Sequence, residues 1–244
     1  MTSKYSENEY LYGELQAAHG ELQETYRRLK DAHIEMIFRM ALISEYRHHA
    51  MGTHLVRITD YSAVLAEGLG LLSEEVEIIR YASPMHDIGK IMLPDSILNK
   101  KGKLTDEEAN LMREHPRVGA DIFKNAKSPL LKACRTIALT HHERYDGKGY
   151  PAGIKGEEIP LYGRIVALAD CFDAFISKRT YKEAYSFDKS VSMIKERAGG
   201  HFDPVLVDVF EDNKDKIKQI FNANRDIDDF LENMGIVAGD LGGV

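Results

Sequence analysis

His86-Asp87-Ile88-Gly89-Lys90 is the stretch on which the reading of this 244-residue chain turns. An imidazole and a carboxylate stand side by side there, and a lysine follows three positions later. A second stretch extends the theme: His141-His142-Glu143-Arg144-Tyr145-Asp146-Gly147-Lys148-Gly149-Tyr150-Pro151. Paired His and Asp side chains, a nearby cation and a Gly/Pro-rich loop are the parts of a metal-assisted phosphoester site. Seven of the ten histidines lie between His48 and His142, a concentration that asks for a chemical cause.

Working outward, the same donor types recur near other apolar helical segments. Glu45 and His49 are four apart, so a helix puts both on one face. His86 and Asp87, read as α-helical, diverge by about 100° and would serve two neighbouring ions. His115 opens the turn His115-Pro116-Arg117-Val118-Gly119. Asp170 sits inside Ile165-Val166-Ala167-Leu168-Ala169-Asp170-Cys171-Phe172-Asp173-Ala174, where an ionised carboxylate is costly unless it is paired or holds a metal. One buried His or Asp alone is more often a hydrogen-bonded core residue than a ligand. Recurrence in five separated segments makes independent accident a poor account. Imidazoles and carboxylates without cysteine suit Fe, Mn, Ni or Zn.

The rest of the chain reads all-α. Leu15, Leu22, Leu29, Met36 and Ile43 recur every seven residues, with Leu11, Ala18, Thr25 and Ala32 at the alternate position. That spacing predicts a long N-terminal helix in a parallel homodimeric coiled coil, against the plainer reading of one amphipathic helix packed on its own domain. Apolar residues at helical spacing follow over 55–71, 76–85, 107–123, 130–139, 165–176 and 190–198. Ser73-Glu74-Glu75, Thr105-Asp106-Glu107-Glu108 and Ser186-Phe187-Asp188 mark helix starts. The expected divisions are a signalling helix over 1–43, a catalytic domain over 44–215 and a helical, acidic tail over 216–244. A net charge of −7 argues against a nucleic-acid polymer or an anionic membrane as partner. Two cysteines, Cys134 and Cys171, make neither a disulfide scaffold nor a thiolate metal site, and a reducing cytoplasm is the expected setting.

By these motifs, residues 45–210 closely resemble the HD-GYP family, a branch of the HD-domain phosphohydrolases. The ordered markers are His86 to Lys90, His115 to Gly119, His141 to Pro151, Ile159-Pro160, Arg164-Ile165, Ala169 to Ala174, Lys178 to Lys182 and Phe202-Asp203-Pro204. The resemblance implies an HD-domain helical bundle and hydrolysis of cyclic di-GMP to the linear dinucleotide pGpG, in some members onward to GMP. It makes His86, Asp87, His115, His141, His142 and Asp170 metal ligands, Asp87 bridging two ions. Glu45 and His49 match the positions that hold a third ion, so a trinuclear site is expected, in iron with manganese as the alternative. Lys90 is expected to donate to the scissile phosphate, and Arg179 and Lys182 to contact substrate phosphate. Asp87 and Lys90 are the expected catalytic pair.

Some points stay open. Where the family has Tyr-Arg-Asp and Thr-Gly-x-His, this chain has Tyr46-Arg47-His48 and Met51-Gly52-Thr53-His54; His54 is read as a supporting residue. Asp173 is either a neighbour of the ligands or a polar pocket wall. Tyr150 is read as stacking on a base or as packed within its loop. The resemblance also offers the Gly-Tyr-Pro loop as a contact for a GGDEF-type cyclase. Cyclic GMP-AMP is an alternative substrate, and a catalytically silent cyclic di-GMP receptor signalling through the coiled coil is an alternative function.

Overall fold

The structure is a computed structural model that describes residues 2–46, 52–177, 184–223 and 229. Helix α1 (Thr2–Tyr46) is continuous for 45 residues. Then come α2 (Thr53–Gly68) and α3 (Ser73–Ala82), which runs directly into a 3-10 helix, Ser83–Met92. A short α4 (Asp95–Leu98), α5 (Asp106–Met112), α6 (His115–Ile122) and α7 (Pro129–Thr140) follow. Beyond a loop and a single 3-10 turn, Gly156–Glu158, lie α8 (Leu161–Ile176), α9 (Phe187–Lys195), α10 (Pro204–Asp212) and α11 (Lys214–Ala223). Among the described residues there is no strand, only one isolated bridge between Ala198 and Phe202. The all-α expectation holds.

Helix α1 has two faces with different fates. Ile34, Ile37, Phe38 and Ala41 are buried at i, i+3, i+4 and i+7 against the domain, beside Ser44 and Glu45. The heptad positions Leu11, Leu15, Leu22, Leu29, Met36 and Ile43 all stand exposed. The packed body therefore begins near Ile34, ten residues before the expected boundary at 44. At the other end α11 crosses the boundary expected at 215 and buries Ile217 against the core.

The core is one cluster of α1 through α3, the 3-10 helix and α7 through α11, with Phe172 packed edge-on against Tyr61, ring centroids 5.5 Å apart, and Phe210, 4.8 Å apart. Thr105 accepts from Glu108 N while Glu108 accepts from Thr105 N, as its sequence position predicts. Ser186 likewise caps α9 through Lys189 N. Ser73 does not cap; α3 begins at Ser73 itself, after Leu72. The helix expected over 107–123 is two helices, because Pro116 brings no N–H and seats at the start of a new one.

The largest departure is at the deciding stretch. His86 and Asp87 lie on a 3-10 helix rather than an α-helix. Residues three apart eclipse in that geometry, which sets Lys90 directly over Asp87. Gly89 is there for contact: a Cβ at this position would meet His115 O at 2.0 Å and Gly119 N at 2.5 Å. The 3-10 segment and α6 thus touch backbone to backbone, carrying Asp87 to His115.

Candidate metal centre

Five segments converge on one site. The 3-10 helix brings His86 and Asp87, the first turn of α6 brings His115, the C-terminus of α7 brings His141 and His142, and facing turns of α2 and α8 bring His54 and Asp170. They form two groups among the described residues, Asp87–His115–His141–His142 and His54–His86–Asp170. In each, one donor atom per residue lies within 4.8 Å of the others. The groups adjoin: His86 Nε2 is 3.4 Å from Asp87 Oδ2, and the His86 and His141 rings are 5.3 Å apart.

Two imidazoles of the first group are aimed by their own backbone. His115 Nδ1 lies 2.7 Å from Met112 O, and His141 Nδ1 lies 3.1 and 3.0 Å from Ile137 O and Ala138 O. His86 is held the same way, Nδ1 to Ser83 O at 2.9 Å. A carbonyl only accepts, so each Nδ1 carries a proton, and in the neutral ring each Nε2 is a lone pair. Those lone pairs face inward: His115 Nε2 and His141 Nε2 are 3.4 Å apart, and 3.2 and 3.5 Å from Asp87 Oδ1. Neither contact to Oδ1 has hydrogen-bond geometry, and His86 Nε2 and Asp87 Oδ1 are buried without a hydrogen-bond partner. Buried lone pairs turned on one another repel unless a cation lies between them. The donor set, nitrogen and carboxylate oxygen without thiolate, is that of a divalent metal, so these residues fit one.

The carboxylates of the site draw positive charge, which a proton on His86 supplies when no cation is bound. Burial drives His86 down, but Asp87, Asp170 and Glu45 outweigh it and push the imidazole up to about 9. His142 is driven well below the ordinary range by burial and the adjacent His141. Lys90, ion-paired to Asp87, is opposed by burial yet held above its ordinary value by Asp87, Glu45 and Asp170. Burial raises the Asp87 carboxyl, and Lys90 and His86 bring it down well below its ordinary value.

The Gly-Tyr-Pro loop is pinned rather than open. Buried Glu143 accepts from Ala152 N at 2.7 Å and Gly153 N at 3.0 Å. Arg117 donates to Pro151 O at 3.2 Å, and Asp146 N to Gly200 O at 2.8 Å. A Cβ on Gly149 would meet Arg144 N at 2.4 Å and Glu143 Cα at 2.5 Å, so the loop closes here on glycine. The Tyr150 ring stacks on His142 at 4.7 Å and 24°, with the Arg113 guanidinium 6.0 Å from its centroid.

Of the residues expected from sequence, His86, Asp87, His115, His141, His142 and Asp170 are brought together, and Lys90 sits over Asp87. Glu45 is buried and close enough to bear on His86 and Lys90, but it belongs to neither donor group. His49, Arg179 and Lys182 lie outside the described residues. His54, assigned a supporting part from sequence, stands with the donors instead: its Nε2 is 3.9 Å from Asp170 Oδ1. Glu143, unassigned in sequence, is the anchor of the loop.

Comparison with known proteins gives this geometry a context. Residues 37–206 match the HD domain family. The cyclic di-GMP phosphodiesterase response regulator RpfG of Xanthomonas campestris is 45% identical over 186 residues, 76% of this chain and 49% of that protein. A cyclic di-GMP phosphodiesterase of Thermotoga maritima is 38% identical, over 83% of this chain and 55% of that one. The 3'3'-cGAMP-specific phosphodiesterase 2 of Vibrio cholerae is also 38% identical, over 77% and 36%. This chain thus spans about half the length of the curated relatives it matches, or less. The crystal structure of V-cGAP3, a cyclic GMP-AMP specific phosphodiesterase of Vibrio cholerae, aligns with a TM-score of 0.57 at 19% identity, over 82% of this chain and 53% of that one, which bears on the fold alone.

Proposed function

The chain belongs to the HD domain family, and on that premise we propose that it is a metal-dependent phosphodiesterase hydrolysing cyclic di-GMP to pGpG, and further to GMP if the linear product re-enters. The observation that carries the reading is the pair of adjoining donor groups with buried, unpartnered His86 Nε2 and Asp87 Oδ1. Relatives whose names give that activity support the choice of substrate. His115, His141, His142 and Asp87 would hold one divalent ion, and His54, His86 and Asp170 its neighbour, Asp87 lying between. Bound divalent ions supply Lewis-acid polarisation of the phosphodiester and a lowered pKa for the attacking water.

The chain's own residues do the rest. The carbonyl-anchored imidazoles keep their Nε2 atoms aimed at the ions they would hold, so no reorganisation is needed when substrate arrives. Lys90, kept cationic by three carboxylates, donates to the scissile phosphate once its hold on Asp87 is shared. Tyr150, fixed against His142, walls the mouth and offers its edge to a base. Arg179 and Lys182 bind substrate phosphate in this proposal, as a bidentate fork and a point charge.

Iron is the proposed metal, with manganese as the alternative; a third ion would need Glu45 and His49 beyond the two groups. The exposed heptad face of α1 fits a parallel homodimer in the cytoplasm, and the pinned Gly-Tyr-Pro loop offers a firm contact for a GGDEF-type cyclase. Among the described residues no helix is long and apolar enough to cross a membrane. A second reading, hydrolysis of cyclic GMP-AMP, is favoured by the names of other relatives. Anaerobic purification, metal analysis per chain and chromatography of both dinucleotides, with Asp87→Ala as control, separate these. Turnover of neither by the metal-loaded protein would replace the enzyme with a silent receptor.

A further inference from the structure

We propose that the buried Arg57–Asp173 ion pair is a positioning device that presets His54 for cation binding, fixing both its tautomer and the direction of its Nε2. His54 and Arg57 are one turn apart on α2; Asp170, Asp173 and Ser177 lie along one face of α8 and its end. Arg57 grips Asp173 with both ends of its fork, Nε to Oδ1 at 2.5 Å and Nη2 to Oδ2 at 3.0 Å. Ser177 donates to Oδ2 at 3.1 Å and accepts from Arg57 Nη2 at 2.9 Å. Asp173 is 1% exposed and Arg57 7%, so this is a sealed network. The carboxylate plane is thereby fixed, and its Oδ2 receives His54 Nδ1 at 2.8 Å.

A carboxylate held ionised by arginine can only accept. Nδ1 of His54 must therefore carry the proton, and Nε2 presents a lone pair. At 3.9 Å from Asp170 Oδ1 that lone pair is beyond hydrogen-bond range and faces another acceptor. The contact is repulsive as it stands and favourable around a cation. The plainer role, an ion pair that simply stiffens the α2–α8 packing, accounts for less: buried pairs are often close to neutral for stability. Carboxylates behind metal-bound imidazoles are typically worth about 10- to 100-fold in metal affinity. The same helix pair that supplies two of the donors would thus also supply the part that aims one of them.

This inference rests on the metal reading above, and its test keeps the two apart. In the metal-free wild-type protein, long-range proton–nitrogen NMR should find His54 protonated on Nδ1; the Nε2-protonated form overturns the proposal with no variant needed. Mn²⁺ titration calorimetry should then show one equivalent weakened about 10- to 100-fold in the Arg57→Met/Asp173→Leu double variant. Removing the pair together avoids leaving one buried charge alone, and circular dichroism and thermal melting confirm that the variant folds. His54→Ala should weaken the same equivalent, and adding it to the double variant should change little. A folded double variant with wild-type Mn²⁺ affinity overturns the proposal. A wild type that takes up no Mn²⁺ sinks the metal reading instead, while the tautomer still judges the role of the pair.

Discussion

The two donor groups are built by different means. Around Asp87, His115 and His141 are oriented by carbonyls three or four residues back in their own chain turns. Around Asp170, His86 is again held by a carbonyl three residues back, but His54 is oriented by a side chain 119 residues away. The first arrangement needs only local helix geometry, whereas the second exists only after α2 and α8 have packed. The comparison teaches that the aiming of His86, His115 and His141 forms with secondary structure, and that of His54 with the tertiary fold.

The substitution with the largest expected effect removes the carboxylate proposed to serve both halves. Asp87 is 3.4 Å from His86 and 3.2 Å from His115, so Asp87→Ala should strip both groups. Turnover of cyclic di-GMP should fall by about 10³-fold or more, on the order of 4 kcal/mol of barrier, with metal content falling alongside. Retained metal at one group would break the idea of a shared carboxylate.

Next come the halves separately. His142→Ala and His54→Ala should each cost roughly 10²-fold in kcat/KM, each with the loss of one metal equivalent. Mass spectrometry of the intact metal-loaded protein reads that directly. If His54→Ala keeps its full metal complement, the second group is not a metal site and the comparison collapses to one centre.

The same contrast explains what was legible in the sequence. His86, Asp87, His115, His141 and His142 announce themselves because their spacing is set by the turns that aim them. Asp170 was legible as a carboxylate in an apolar helix. His54 was not, since its partner Asp173 comes from a distant segment and its neighbour in sequence, the pair Glu45 and His49, has an equally suitable spacing. Glu143 escaped for the same reason: its carboxylate serves backbone N–H groups nine and ten residues on, which no side-chain pattern reveals. The 3-10 geometry at His86–Lys90 was hidden too, because it follows from the close approach of Gly89 to α6 rather than from propensity. The α-helical bundle itself was plain from apolar periodicity.

A smaller effect tests whether the local half depends on that approach. Gly89→Ala should destabilise the protein by about 1–3 kcal/mol, because a Cβ would collide with the His115 carbonyl. Urea unfolding should show the lower midpoint, with His115 and Asp87 displaced and activity reduced more than His54 ordering. An unchanged midpoint would mean that the backbone contact is not what joins these segments.

The smallest effect concerns an imidazole in neither group. His201 stacks on Phe202 at 4.4 Å, and burial, reinforced by Arg144 and Arg197, lowers it to about 4. His86, facing carboxylates, goes the other way, so the sign of the shift reports the neighbours rather than the residue type. With a folded value near 4 and an unfolded value of about 6.5, the unfolded chain takes up the proton first as the pH falls. The stabilisation from keeping His201 neutral is complete above about pH 6.5 and is lost progressively down to about pH 4, below which both states are protonated. Because the ring is partly exposed, the loss should be about 1–2 kcal/mol rather than the full shift. His201→Gln, unfolded in urea at pH 7.5, 5.5 and 4.5 with metal removed, should show an acid slope shallower by that amount. An unaltered slope would assign the acid loss to the donor imidazoles, making the centre itself the acid-sensitive part of the fold.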